Sequence, residues 1–242
     1  LVLHDMTELR RLESLRRELV ANVSHELKTP LAAIKGYAET LRLGAVNDAE
    51  HNLNFVRRIE EQADRLHELI LDILQIARLE SGQESLELVD VPIAAVLEDC
   101  AEQFTEVAAG KQIALIVEPA PAGLTVQADA EGLHAIINNL VDNALKYSPT
   151  GGRVTIRAMI EGKFAMMEVE DNGIGIPEPE LARIFERFYR VDKARSRELG
   201  GTGLGLSIVK HFAQAFGGSV SVKSEVGKGS TFRVAIPLRA SI

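Results

Sequence analysis

The 242 residues include 46% hydrophobic and 26% charged side chains, which is typical of a soluble globular protein with a substantial core. The net charge of −8 and the lack of a dense Lys/Arg block argue against nucleic-acid binding, because contacts to phosphate need clustered positive charge. No apolar run approaches the roughly 18 residues of a membrane span. A single cysteine, Cys100, excludes an intrachain disulfide framework and fits a reducing compartment. Leu1 is neither an initiator Met nor the start of a signal peptide, so a fragment of a longer chain is predicted.

Residues up to about 82 show helical periodicity, with apolar side chains every three or four positions in two segments. The first stripe comprises Leu9, Leu12, Leu15, Leu19, Val23, Leu27, Leu31, Ile34 and Leu41, and the second comprises Val56, Ile59, Ala63, Leu66, Ile70, Ile73 and Ala77. Gly44 is predicted to end the first helix, and Asn47-Asp48 to cap the second. Because a lone helical hairpin buries little surface, a homodimer forming a four-helix bundle is predicted.

After Ser81-Gly82-Gln83, which is interpreted as a hinge, strand-like and helical segments alternate. The predicted strands are Ile113–Glu118, Val154–Ile160, Ala165–Glu170, Ser219–Ser224 and Thr231–Ile236; the predicted helices are Ile93–Ala109, Ala130–Tyr147, Glu178–Phe185 and Gly205–Phe216. Turn signals at Gly162-Lys163 and Gly227-Lys228-Gly229 predict two hairpins. Strands covered by helices predict a two-layer α/β sandwich, so the fold class of the whole chain is α+β.

His25 lies two residues from both Val23 and Leu27, about 200° around the helix from each, and is therefore predicted to face away from the apolar stripe. Thr29, four residues on, shares its face, and Pro30 is expected to bend the helix. An exposed neutral imidazole can act as a nucleophile through one ring nitrogen, and a neighbouring carboxylate could take the proton of the other. A solvated surface histidine is the alternative that this geometry leaves open.

The predicted helix Ala130–Tyr147 places Asn139, Asn143 and Lys146 on one face, opposite an apolar side. An amide oxygen suits Mg²⁺ and a lysine suits phosphate, although an ordinary amphipathic helix would show the same pattern. The next motif, Asp171-Asn172-Gly173-Ile174-Gly175, follows a strand. Its carboxylate could accept a hydrogen bond from an adenine amino group, and a simple tight turn is the alternative.

Phe185–Arg190 precedes the charged stretch Asp192–Leu199, interpreted as a mobile lid or an exposed loop. Gly200–Leu206 then opens a helix whose glycine-rich N-terminus could hold phosphates. This motif lacks the Gly-Lys-Ser/Thr ending of a P-loop and the strand–helix–strand frame of a dinucleotide fingerprint.

The run Ser24-His25-Glu26-Leu27-Lys28-Thr29-Pro30-Leu31 resembles the phosphoacceptor box of sensor histidine kinases residue for residue. The four later motifs resemble the N, G1, F and G2 boxes of that family's ATP-binding domain. The resemblance extends from about Leu9 to Pro237 and is strongest to the phosphate-regulon type. It implies that His25 is phosphorylated, that Glu26 assists, and that Thr29 positions water for dephosphorylation of the partner.

The resemblance also implies the nucleotide-site residues and the bound species, ATP and Mg²⁺. Asn143 is implied as the Mg²⁺ ligand with Asn139 in support, and Lys146 and Arg190 are implied as phosphate contacts. Tyr147 is implied to stack on the base, and Asp171 to bind the adenine amino group in a pocket shaped by Gly173 and Gly175. The far end of the lid is implied to comprise Gly201, Thr202, Gly203, Leu204 and Gly205.

The domains implied are 1–13 as the end of a PAS sensor domain and its linker, 14–82 for dimerisation and phosphotransfer, and 83–242 as the catalytic ATP-binding domain. The partner implied is the receiver domain of a response regulator, and the location that of a cytoplasmic fragment of an inner-membrane bacterial sensor. The signal, the regulator, phosphatase activity and the choice between cis and trans phosphorylation stay open.

Two rival functions share parts of this pattern. ATP-hydrolysing machines of the gyrase and Hsp90 group resemble the nucleotide motifs, but they carry a glutamate four residues before the Mg²⁺-binding asparagine. Here that position is Asn139, which cannot act as a base. An inactive dimerisation scaffold would be expected to have lost His25, Asn143, Asp171 or the glycines of the nucleotide motifs, and none of these is lost.

Overall fold

The computed structural model describes residues 7–81, 86–192 and 201–238. The chain divides between Ile73 and Leu74 into two compact units, one helical and the other mixed α/β. Each unit is described by itself.

The helical unit is built from α1 (Thr7–Arg42) and α2 (Asn52–Ser81), and α2 continues into the second unit. Helix α1 passes through Pro30 without interruption. The predicted cap at Asn47-Asp48 lies four to five residues before Asn52, the first residue of α2, because a short 3-10 helix, Ala45–Asn47, and a turn precede α2. The Asp48 carboxylate accepts hydrogen bonds from the backbone amides of Glu50 (3.0 Å) and His51 (3.2 Å), so it caps this turn instead.

The predicted apolar stripes are only partly buried in a single chain. In α1, Val23, Leu27, Ile34 and Leu41 are half-buried, whereas Leu31 is 57% exposed; Leu9, Leu12, Leu15 and Leu19 lie outside the described side chains. In α2, Val56 and Ile70 are 40% and 43% exposed. One hairpin can cover only the sides on which its two helices meet, so much of each stripe stays accessible.

The α/β unit contains a five-stranded mixed sheet. Its elements are β1 (Val89–Pro92), α3 (Ile93–Gly110), β2 (Ala114–Val117), β3 (Thr125–Ala128), α4 (Ala130–Tyr147), β4 (Arg153–Glu161), β5 (Phe164–Asp171), α5 (Gly205–Ala215), β6 (Ser219–Glu225) and β7 (Gly229–Pro237). The strand order is β2-β4-β5-β7-β6, with β2 and β4 parallel and the other pairs antiparallel.

Helices α3, α4 and α5 cover one face of the sheet and form the two-layer sandwich that the sequence predicts. Alternate β5 residues Ala165, Met167 and Val169 are fully buried on this face. The apolar side predicted for α4 is buried as well and includes Ile136, Ile137, Leu140, Val141 and Ala144. Cys100 of α3 lies in this core, where burial raises the pKa of its thiol to about 12 and makes it unreactive.

Three parts of the α/β unit differ from the prediction or lie beyond it. The predicted helix Glu178–Phe185 is wrong: a 3-10 helix, Glu178–Glu180, leads into consecutive turns, because most backbone hydrogen bonds here span three residues. The antiparallel pair β1–β3 was not predicted. Gly82 and Gln83 of the expected hinge, and 193–199 of the expected lid, lie outside the described residues.

The outer face of the sheet carries a buried charge. Glu168 of β5 is fully buried and lies in register between Arg157 of β4 and Arg233 of β7. Arg157 Nε donates to Glu168 Oε2 at 2.7 Å, and Arg233 forms an ion pair with the other carboxylate oxygen. Arg157 also pairs with Glu170 of β5 at 2.8 Å. The ion pairs therefore connect side chains of the three neighbouring strands β4, β5 and β7.

Replacing Glu168 with alanine is expected to lower the free energy of unfolding by about 3 kcal/mol, because two mostly buried guanidinium groups lose their shared carboxylate. Urea denaturation of the chain measures this change. The matched control is Glu170→Ala, since Glu170 is half-exposed and pairs with the same Arg157; its loss should stay under about 1 kcal/mol. Equal losses of unfolding free energy for the two variants would contradict the assignment of Glu168 as the central carboxylate between Arg157 and Arg233.

Candidate nucleotide and phosphoacceptor sites

The phosphoacceptor candidate lies in the middle of α1. The imidazole of His25 is exposed, which confirms the predicted orientation away from the half-buried Val23 and Leu27. Thr29 is exposed one turn later, and its hydroxyl donates to the His25 carbonyl oxygen at 3.3 Å. A hydroxyl that donates to the helix backbone still has lone pairs that can accept a hydrogen bond. Glu26 is half-buried beside His25 in sequence.

In the α/β unit, Asp171 ends β5 and is only 8% exposed. Burial raises the pKa of its carboxyl, and the nearby Glu170 adds to that effect, while hydrogen bonds from the amides of Gly173 and Ser230 oppose it. The Gly173 amide lies 2.8 Å from Asp171 Oδ1. A buried acceptor at the end of a strand can distinguish an amino group from a group that cannot donate.

The Gly173–Gly175 loop is wedged between the end of α4 and the β6–β7 turn. The Ile174 amide donates to the Tyr147 carbonyl oxygen at 3.2 Å, and a Cβ on Gly173 would lie only 2.5 Å from that oxygen. Gly175 has a φ of +69°, and a Cβ there would lie 2.1 Å from the Glu225 carbonyl oxygen. Only glycine fits both the conformation and the space. The loop is therefore held in a fixed position beside Asp171 and the last turn of α4.

The three polar residues predicted on one face of α4 are all half-buried, but their surroundings differ. Lys146 Nζ pairs with Asp142 Oδ2 at 2.7 Å on the same helix. Asn139 donates from Nδ2 to the Ala135 carbonyl oxygen at 2.8 Å, and its Oδ1 lies 2.3 Å from the position a Cβ on Gly205 would occupy. Asn139 thus lies directly against the start of α5.

Asn143 differs from these neighbours because its side chain makes no hydrogen bond within the described residues. A half-buried amide oxygen that no described residue hydrogen-bonds fits a hard cation, which prefers oxygen ligands. Nowhere in the described part of the chain do three or more His, Cys, Asp or Glu side chains gather as a metal cluster. The donor set therefore fits Mg²⁺ sharing its coordination with waters and phosphate oxygens, and does not fit a fully protein-ligated metal.

Hydrogen bonds connect the segment before residues 193–200, Phe185–Arg190, to the segment after it, Gly201–Gly205. The Phe188 amide donates to the Gly203 carbonyl oxygen at 2.7 Å, and Arg190 Nη2 donates to the Thr202 carbonyl oxygen at 2.9 Å. Thr202 Oγ1 in turn accepts from the Leu204 amide at 3.2 Å. Helix α5 then begins at Gly205 without a side-chain cap. Uncapped first-turn amides at a helix N-terminus suit an anion such as phosphate.

Two site features were missed by sequence reasoning. The Asp142–Lys146 pair has i, i+4 spacing, a signal that could have found it. Ser230 of β7 donates to Asp171 from a strand far along the chain, and no local pattern marks that contact.

Two families of known sequences match this chain. Residues 15–82 match the His Kinase A (phospho-acceptor) domain, and residues 128–240 match the histidine kinase-, DNA gyrase B- and HSP90-like ATPase family. The solved structure of the mycobacterial sensor histidine kinase MprB is 31% identical, with a TM-score of 0.55, and the match covers 64% of this chain and 99% of that one. The chain belongs to the sensor histidine kinases.

Other relatives extend the match over almost the whole chain. The phosphate regulon sensor protein PhoR of Pseudomonas aeruginosa is 39% identical over 233 residues, 96% of this chain and 52% of that protein. The structure of full-length ShkA in complex with AMPPNP is 32% identical, with a TM-score of 0.68, and covers 93% of this chain and 46% of that one. This kinase chain thus spans about half the length of the curated relatives it matches.

The comparisons confirm the resemblance and the fold class expected from the sequence, including the likeness to phosphate-regulon sensors. The His Kinase A match also separates this chain from the gyrase and Hsp90 members of the ATPase family. Within the described residues, no helix combines the length and apolar character needed to cross a bilayer.

Proposed function

We propose that this chain is the catalytic part of a sensor histidine kinase, which phosphorylates its own His25 from ATP and passes the phosphoryl group to an aspartate of a response regulator. The observation that carries this proposal is an exposed histidine inside the phosphoacceptor match, on the same chain as an ATPase-type unit. An exposed nucleophile is needed because it must accept a phosphoryl group from one protein surface and deliver it to another.

ATP is the substrate assigned to the α/β unit. Asp171 would accept the adenine amino group, while the loop of Gly173 and Gly175 lets the backbone approach the base and Tyr147 flanks it. The phosphates would lie towards the segment Gly201–Gly205 and the start of α5, within reach of Lys146 and Arg190. AMPPNP, an ATP analogue, is bound by the relative ShkA, which supports this substrate class.

Mg²⁺ would be held through the side-chain oxygen of Asn143, with Asn139 fixing the adjoining turn of α4 against Gly205. When bound, the ion neutralises phosphate charge that develops during transfer. Lys146 is shared between Asp142 and a phosphate in this assignment, so its ion pair must loosen when the nucleotide binds.

The reaction assigned to His25 is an in-line phosphoryl transfer. A lone pair on one ring nitrogen forms the N–P bond to the γ-phosphorus, while the bond from that phosphorus to the bridging oxygen breaks and ADP leaves with the electron pair. The proton on the other ring nitrogen passes to Glu26, the neighbouring carboxylate. Thr29, exposed on the same face as His25, would orient water when the phosphorylated regulator is hydrolysed.

A homodimer is proposed for the helical unit, because Leu31, Val56 and Ile70 need a second surface to cover them. The domain assignment stays as the sequence suggests: the end of a sensor domain and linker in 1–13, dimerisation and phosphotransfer in 14–82, and ATP binding in 83–242. We also assign the fragment to the cytoplasmic side of a bacterial inner membrane, joined to an upstream sensor domain.

The test of this function is incubation of the chain with γ-labelled ATP and Mg²⁺. Label should appear on the protein in a form that resists base and is lost in acid, as a phosphoramidate is. Addition of response-regulator receiver domains should then move the label from the chain to one of them. A chain that acquires no label, or acquires only acid-stable label, would contradict the proposal.

The buried Asp171 predicts a specific pH dependence of ATP binding. Because burial raises the pKa of its carboxyl, protonation begins at a higher pH than for an ordinary aspartate, and the neutral form is the weaker acceptor. Affinity for ATP should therefore fall as the pH is lowered through this raised pKa. Calorimetric titration with ATP at a series of pH values measures the effect.

The control for this experiment is Asp171→Asn, which keeps the shape of the side chain and cannot titrate. Its affinity at neutral pH should be lower than that of the wild type, and its pH profile should contain only the titration of the ATP phosphates. Identical pH profiles for wild type and variant would show that the Asp171 carboxyl does not contact the base.

A further inference from the structure

A polar contact that the mechanism above does not use joins the F segment to helix α5. Arg187 lies directly before Phe188, and its Nη2 is 2.9 Å from Nε2 of His211 on α5. The other ring nitrogen, Nδ1, lies 2.7 Å from the carbonyl oxygen of Ser207, one turn earlier on the same helix. Both side chains are half-buried.

The partners of the ring assign the roles of the two nitrogens of His211. A guanidinium group can only donate, so Nε2 must offer a lone pair to Arg187; a carbonyl oxygen can only accept, so Nδ1 must carry the proton. The two contacts together fit the Nδ1–H tautomer, with the lone pair of Nε2 directed towards Arg187. The Ser207 hydroxyl donates to the Leu204 carbonyl oxygen at 2.7 Å. Two side chains, those of Ser207 and His211, therefore hydrogen-bond to backbone carbonyl groups at the start of α5.

The backbone beside Arg187 needs such an anchor. Phe188 has a φ of +60°, an unfavourable region for a residue with a side chain, and its amide donates to the Gly203 carbonyl oxygen. A residue persists in this conformation only when contacts around it hold the chain in place. Gly203 holds Phe188 from one side, and the Arg187–His211 contact holds the preceding residue. Arg190, the proposed phosphate contact, lies two residues after Phe188.

We propose that His211 is a positioning residue for the nucleotide site: by accepting a hydrogen bond at Nε2, it holds Arg187 and so fixes the segment 185–190, and with it Arg190, against helix α5. This proposal rests on the proposed ATP site for its functional effect. The contact itself is independent of that site, so its existence can be tested without nucleotide.

The tautomer supplies the first test. Nitrogen NMR of the histidine-labelled chain should show His211 as the neutral Nδ1–H form, with Nε2 unprotonated. The assignment comes from the signal that disappears in His211→Gln. A neutral Nε2–H form, or a doubly protonated ring at neutral pH, would overturn the proposal whether or not the chain binds ATP.

Two substitutions of His211 test whether its hydrogen-bond acceptor, rather than the ring as a whole, is needed. His211→Gln places an amide oxygen near the position of Nε2 and can still accept from Arg187, whereas His211→Asn is too short to reach it. The asparagine variant should bind ATP about tenfold more weakly, as expected for a lost hydrogen bond to a charged group, and the glutamine variant should stay within about threefold of the wild type.

A double-mutant cycle with Arg187→Met closes the test. If His211 acts through Arg187, the double variant with His211→Asn should bind ATP no more weakly than Arg187→Met alone. Additive losses, or equal losses for the asparagine and glutamine variants, would overturn the positioning role while leaving the proposed function intact. A wild type that does not bind ATP would refute the proposed function itself, and the NMR result would still decide the contact.

Discussion

Replacing His25 with glutamine is expected to abolish the uptake of label from γ-labelled ATP completely. Glutamine keeps a polar side chain at this exposed position of α1 but has no nucleophilic nitrogen, because the lone pair of its amide nitrogen is delocalised. ATP binding by the α/β unit should be unchanged, since Asp171 and Asn143 lie in a separate unit of the chain. Labelling and calorimetric titration on the same sample measure the two effects.

The matched control for this variant is His67→Gln, because His67 is a second exposed histidine in the helical unit, on α2. Its label uptake should equal that of the wild type. Label that persists on His25→Gln, or that is lost equally in His67→Gln, would contradict the assignment of His25 as the phosphoacceptor.

Replacing Asn143 with alanine is expected to remove Mg²⁺-dependent ATP binding, with a loss in affinity of at least about tenfold. The half-buried amide oxygen of Asn143 accepts no hydrogen bond from other described residues, and an amide oxygen is a donor that suits a hard cation. Titration with ATP in the presence of Mg²⁺ and in its absence measures the effect.

Two comparisons sharpen the Asn143 experiment. Without Mg²⁺, the variant and the wild type should bind ATP with equal affinity, because only the metal contact has been removed. The control Asn138→Ala removes an asparagine of the same helix whose Nδ2 donates to Gln103 of α3, and its ATP affinity should match the wild type. Unchanged affinity of Asn143→Ala in Mg²⁺ would show that the metal lies elsewhere.

Local sequence signals were sufficient for α4, whose bounds are the predicted Ala130–Tyr147. The apolar residues of this helix follow a 3.6-residue period, and Asp129 caps it by accepting from the Gly132 amide at 2.8 Å. The strands of the five-stranded sheet were predicted to within two residues at each end, and glycine turns mark the two hairpins β4–β5 and β6–β7. The exposure of His25 also followed from helical periodicity alone.

Short or mixed segments could not be predicted in this way. Strands β1 and β3 have four residues each, so neither shows enough alternation to be recognised, and α3 and β2 separate them in the chain. The turn region after Pro177 contains apolar residues at helical spacing, but Ile184 is buried and Phe185 packs edge-on against Phe232, so tertiary packing decides its path.

In the nucleotide site, residue types were more predictable than their contacts. The family motifs named Asp171, Asn143 and the glycines, and their roles stay proposals; the structure shows Asp171 buried and bound to the Gly173 amide, and Gly173 and Gly175 pressed against neighbouring backbone. The contact from Arg187 to His211 joins residues 24 positions apart, and that of Ser230 with Asp171 joins residues even further apart. Such contacts depend on how the sheet and α5 pack, which no local pattern encodes.

Mass spectrometry of the phosphorylated chain tests the central claim most directly. After incubation with ATP and Mg²⁺ at neutral pH, digestion without acid should yield the peptide around Ser24–Pro30 with one added phosphoryl group, and fragmentation should place that group on the ring of residue 25. A phosphoryl group found on a serine, a threonine or another histidine, with residue 25 unmodified, would contradict the account.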